Sequence, residues 1–124
     1  MPTTTSWPGS GTSGVDENPT EVEVWSASYR FASVAAARRA YEVVRDYIFG
    51  EDVDASVYRV MLNGASHVVA ISEAEPSAEA YERIRQACRG GGSTVIPDEI
   101  VLVLAMRRAE MKTKGERVER RYSI

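Results

Sequence analysis

Two apolar-rich runs, Ser56 to Leu62 and Ala65 to Ser72, flank the dipeptide Asn63-Gly64. Asn-Gly is favoured where both central residues of a two-residue turn need positive φ, so this stretch is constrained to a β-hairpin. A two-residue loop also sets the register: Leu62 opposite Ala65, Val60 opposite His67, Tyr58 opposite Val69. Alternation then divides the hairpin into two faces. One carries Tyr58, Val60, Leu62, His67, Val69 and Ile71; the other carries Val57, Arg59, Met61, Ser66, Val68 and Ala70. The first is the more apolar and is expected to meet the core.

Elements flank the hairpin on both sides. Glu21 to Phe31 alternates, with Trp25, Ala27, Tyr29 and Phe31 pointing one way and Val24, Ser26, Ser28 and Arg30 the other. Period two with aromatic enrichment predicts a half-buried strand. Ser33 offers an oxygen to cap a helix start. Val34, Ala37, Tyr41, Val44 and Ile48 then recur at helical spacing, with a stop at Phe49-Gly50, where glycine suits a left-handed cap. After the hairpin, Pro76 at a first helical position and early Glu79 and Glu82 start a second helix with Tyr81, Ile84 and Cys88 inward. Arg89-Gly90-Gly91-Gly92 ends it.

Pro97-Asp98-Glu99 at the front and Lys112, Lys114 and Gly115 at the back predict a third helix over 97–114, with Ser93 to Ile96 a short fourth strand. The β-branched run Ile100-Val-Leu-Val-Leu supports an alternative in which 100–108 is itself the fourth strand. Either way the order is βαββαβ, an α+β layout similar to the ferredoxin-like split βαβ domains, with a C-terminal helix in the preferred version. Residues 1–20, rich in Thr, Ser, Gly and Pro, read as a disordered leader with Trp7 idle in it. Residues 21–114 read as one α+β domain and 115–124 as a basic C-terminal tail.

Composition narrows the function. With 124 residues, 44% hydrophobic, 27% charged and a net charge of −3, the chain is an ordinary globular domain rather than a disordered, collagenous or coiled-coil one. Its longest apolar run, Ile100 to Met106, falls well short of the ~20 residues a membrane helix needs. The start has neither the basic nor the apolar region of a secretory signal, so the expectation is a soluble cytoplasmic protein. One cysteine and one histidine exclude an internal disulfide and metal sites built on several such ligands. No cofactor and no metal are expected.

Candidate chemistry is sparse. His67 falls on the apolar hairpin face, where a histidine bonded to backbone or to a tyrosine such as Tyr58 outweighs a general base, because nothing is placed to orient it. A pocket using His67 with Tyr58 or Tyr29 is the second alternative function. Cys88 lies on an inward stripe and reads as packing. Arg89-Gly-Gly-Gly-Ser93 lacks the spacing of a phosphate loop and follows a helix, so it reads as a link. Glu51, Asp52 and Asp54 read as a solvated loop rather than a cation site.

Charge is the clearest asymmetry. Residues 107–124 carry Arg107, Arg108, Lys112, Lys114, Arg117, Arg120 and Arg121 against three glutamates, 7 − 3 = +4, leaving −3 − 4 = −7 on residues 1–106. These seven bases are the candidate binding residues. Nucleic-acid binding through them is the first alternative function, disfavoured because Trp25, Tyr29 and Tyr58 are expected on the covered sheet face rather than as a stacking platform. The leading expectation is a non-enzymatic protein-interaction or regulatory module. It rests on Ile100 to Met106, which is apolar on every side and must be covered on more than one. Either that helix folds across an open sheet face (Val24, Ser26, Ser28, Val57, Met61, Val68, Ala70), or it pairs with another chain. A homo-oligomer or a protein partner is therefore expected, with no membrane contact.

Overall fold

The computed structural model describes residues 24–113. The leader, Trp7, residues 21–23 of the expected first strand, Lys114 and the tail 115–124 lie outside the described residues. Within them run β1 (Trp25–Phe31), α1 (Val34–Gly50), β2 (Ser56–Leu62), β3 (Ala65–Ser72), α2 (Ala78–Ala87), β4 (Gly92–Thr94) and α3 (Asp98–Thr113). The four strands form one antiparallel sheet in the order β2-β3-β1-β4, so the class is α+β. Residues 100–108 are helical, not a strand.

Local signals decide most element ends. Asn63 and Gly64 take φ of 51° and 80°, and the turn sets Leu62 against Ala65, Val60 against His67 and Tyr58 against Val69, the register its two residues demand. Ser33 Oγ accepts from the Ala36 N–H at 3.1 Å and Ser77 Oγ from the Ala80 N–H at 3.1 Å, each satisfying a donor that a helix start leaves open. Ser77 is thus the cap of α2, and Pro76 stands before it rather than at the first helical position. Gly50 does not take a left-handed φ. Glu51 caps α1, and Asp52 makes the turn at φ 55°, a conformation that a short polar side chain tolerates.

Both sheet faces are covered. On one, Tyr29 and Phe31 of β1, Val57 of β2 and Val68 and Ala70 of β3 pack under Ala37, Ala40, Tyr41, Val44 and Ile48 of α1 and Ile84 and Cys88 at α2. On the other, Tyr58, Val60, Val69 and Ile71 pack under Leu104 and Ala105 of α3, with Ile96 beside them. Of the two outcomes expected for the last helix, the structure shows the first, α3 folded across a sheet face of its own chain, and the hairpin is turned over relative to β1. Its more apolar side meets α3, and its Val57–Val68–Ala70 side meets α1 and α2. The cause is the ladder: Tyr29 pairs with Val68 and Ala27 with Ala70, and cross-strand partners share a face. Alternation gives each strand its period but not its phase against a neighbour.

Candidate functional site

The first turn of α3 follows Pro97, whose carbonyl accepts from the N–H groups of Ile100 (3.0 Å) and Val101 (3.2 Å). Asp98 and Glu99 sit at the positive end of the helix dipole and Lys112 at the negative end. Sixteen residues make it about 24 Å long, enough to cross the sheet. Leu104, Ala105, Arg108 and Met111 form the buried stripe. The opposite side carries Val103, 43% exposed, and Met106, 59% exposed, in a shallow groove with Arg107, Ala109, Glu110 and Thr113. The apolar run thus has one side covered by its own sheet and one side in water.

The described bases divide accordingly. Arg108 is only 2% exposed. Its guanidinium donates to Ser56 Oγ at 2.7 Å, to Glu73 Oε1 at 2.9 Å and to the Asp54 carboxylate. Lys112 Nζ lies 3.4 Å from Asp54 Oδ1 and 3.8 Å from Glu73 Oε1. Hydrogen bonds from Arg108 hold the Asp54 and Glu73 carboxyls below the usual carboxylate range, against a smaller opposing effect of burial. Burial disfavours the Arg108 charge, but Glu73 and Asp54 together more than offset it, and its pKa is raised. This node ties α3 to the start of β2 and the end of β3. Of the expected binding residues it removes Arg108 from the surface and neutralises Lys112, leaving Arg107 as the one described base of the set without an ion pair among the described residues. Lys114, Arg117, Arg120 and Arg121 lie outside them.

A signal for Arg108 was present. It falls four residues after Leu104 and three before Met111, on the core stripe of its helix. Its carboxylate partners, 35 and 54 residues away, carry no such mark.

The other candidates are structural. His67 is buried, and its Nδ1 donates to the Ala65 carbonyl at 3.1 Å. Tyr58 shares its sheet face under α3, whereas Tyr29 lies on the opposite face, so the expected His67–Tyr29 pairing is not formed. Cys88 is fully buried, and burial alone pushes its thiol up to about 12, which leaves it a thiol at neutral pH. Of the acidic loop, Asp54 is committed to Arg108 and Asp52 to the turn. No group of three or more His, Cys, Asp or Glu among the described residues is arranged to hold a metal. No described helix is long and apolar enough to cross a membrane.

One glycine of the triplet, Gly91, has a steric reason instead. A Cβ on Gly91 would lie 2.8 Å from the Arg30 carbonyl oxygen and 2.9 Å from the Phe31 ring, distances real side chains do not tolerate, whereas Gly92 has open space. Gly91→Ala is expected to cost about 1–3 kcal/mol in urea denaturation, with Gly92→Ala well below it, because overpacking must move backbone or a buried ring. Equal effects at both positions would refute the close-approach account.

No protein-family model, curated protein or solved structure matches the chain, so the functional argument rests on these residues alone.

Proposed function

We propose that the chain is a small non-enzymatic interaction module of ferredoxin-like βαββαβ layout that self-associates through the outer face of α3. The layout has support in the strand order. β3 lies between β1 and β2, and β1 between β3 and β4, so each strand–helix–strand unit is split by an inserted strand. The interaction reading is carried by Val103 and Met106, large apolar side chains in water on a helix whose other side is already satisfied. A second copy is the fitting partner because Arg107 and Glu110 lie within the same groove, which runs from Val103 to Thr113. Two such helices meeting antiparallel about a two-fold axis midway along that groove bring each Arg107 toward the other copy's Glu110.

Nucleic-acid binding has less support, since Arg108 and Lys112 are already paired with Asp54 and Glu73. Salt-sensitive oligonucleotide anisotropy abolished by deleting 114–124 would favour it instead.

Sedimentation equilibrium tests self-association. The expected mass at micromolar concentration is 2 × 13.6 = 27.2 kDa, falling to 13.6 kDa in Met106→Glu without loss of the folded circular-dichroism spectrum. Arg107→Glu and Glu110→Arg should each weaken the dimer, and the double swap should restore it. A 13.6 kDa species for the unaltered chain across the micromolar range would overturn the proposal.

A further inference from the structure

The fourth strand stops early. β4 pairs only with Ser28, Tyr29 and Arg30, and the chain then turns away toward α3, so no strand of the described sheet lies beside Trp25 to Ala27 on that edge. A cleft of about 510 Å³ opens there and shares no lining residue with the outer groove of α3. A space of that size accommodates a small organic molecule.

Its lining is chemically one-sided. Trp25, Tyr29 and Tyr81 supply aromatic surface, and the Trp25 and Tyr81 rings stand edge to face, 5.8 Å apart at 88°. Glu75 and Asp98 supply two carboxylates, and among the described residues no lysine or arginine lines the cleft. Burial pushes the Tyr29 phenol up to about 12, so it stays a neutral ring with a hydroxyl donor and adds no charge at neutral pH. Aromatic faces carry negative potential and attract cations. An anion would meet two carboxylates, and Arg85, the base whose charge reaches Tyr29 and Tyr81, is already paired with Glu82 at 2.8 Å. A neutral apolar ligand would strip water from those carboxylates and return nothing. A bare metal ion finds too few ligands, because aromatic walls do not coordinate hard cations.

We infer that this cleft binds a small organic cation, an alkylammonium seated against the Trp25–Tyr81 ring pair with its charge toward Glu75 and Asp98. Rings and carboxylates come from four separate parts of the fold: β1, the segment before α2, α2 itself and the first turn of α3. Their convergence is a property of the folded domain and not of any local motif.

Fluorescence titration of the full chain tests this. Trp7→Phe leaves Trp25 the one indole of the two in the sequence. The probes are choline and putrescine, with 3,3-dimethylbutan-1-ol as the neutral carbon analogue of choline. The expected result is a saturable change in Trp25 emission with at least one of the two amines, and a neutral analogue at least about tenfold weaker than choline where choline binds. Tyr81→Ala and the pair Glu75→Gln, Asp98→Asn should each weaken amine binding about tenfold. The carboxamide pair alters only exposed side chains, so it tests the proposal even if Tyr81→Ala misfolds. Silence with both amines, a neutral analogue as tight as choline, or undiminished binding by the folded carboxamide variant overturns it.

Discussion

Replacing both Asp54 and Glu73, as Asp54→Asn with Glu73→Gln, is expected to destabilise the protein by about 2–3 kcal/mol, more than Arg108→Met. The order follows from where the charges sit. The Arg108 side chain is 3% exposed, whereas those of Asp54 and Glu73 are 77% and 51% exposed. Without its carboxylates a buried guanidinium is left uncompensated, a loss that runs to about 3–5 kcal/mol for deep pairs. Screening of the two exposed partners brings the figure to the lower end. Without the arginine, the carboxylates return to water and a methionine fills much of the same volume. The main remaining cost is Ser56 Oγ, which loses a 2.7 Å partner, worth about 1 kcal/mol. Urea denaturation of the three variants measures the ranking, and a costlier Arg108→Met would refute it.

The same node dictates an acid response. The folded-state pKa values of Asp54 and Glu73 are lowered, so their contribution is complete above their unfolded values near 4 and is lost as pH falls through the depressed native values. Stability of the unaltered protein should therefore drop on acidification below about pH 4 more steeply than that of the variant carrying both Asp54→Asn and Glu73→Gln. Parallel acid limbs for the two would show that the pair contributes nothing.

Leu104→Ala is expected to cost about 3 kcal/mol, within the range for emptying a leucine site in a packed core. Leu104 is fully buried against the Tyr58, Val69 and Ile71 side of the sheet, and no other residue of α3 is as deeply covered. Val103→Ala, one residue earlier, should stay within about 0.5 kcal/mol in the Met106→Glu background, where the proposed dimer is absent and Val103 is 43% exposed. Chemical denaturation gives both values, and hydrogen exchange across 98–113 should quicken in Leu104→Ala alone. Similar effects at 103 and 104 would mean that α3 does not lie on the sheet as described.

Parts of this fold are legible from short stretches because their physics is local. Asn63-Gly64 dictates the hairpin, Ser33 the start of α1, and the spacing of Ala37, Tyr41, Val44 and Ile48 the side of α1 that is buried, although Val34, expected on the same stripe, is exposed in the first turn. The end signals at Asp98 and Lys112 outweigh the β-branched run between them, and the segment is a helix. Less of the candidate sites is legible. The apolar strip on α3 is implied by a run that is greasy on every side. The cleft beside Trp25 is not, since Glu75, Tyr81 and Asp98 meet only across the fold.

Residue order by itself determined the α+β succession of elements, the hairpin register and the excess of apolar surface on the last helix. Each depends on neighbours a few positions apart, where spacing and turn geometry act directly. Tertiary structure alone decided that the hairpin presents Tyr58 and Ile71 to α3, that Arg108 is an interior ion and not a surface base, and that Gly91 must lack a side chain. Those outcomes depend on which surfaces meet after the strands have paired. The free energy of a charge or a methyl group is set by what lies against it, and residues 35 or 54 positions away cannot announce that in advance.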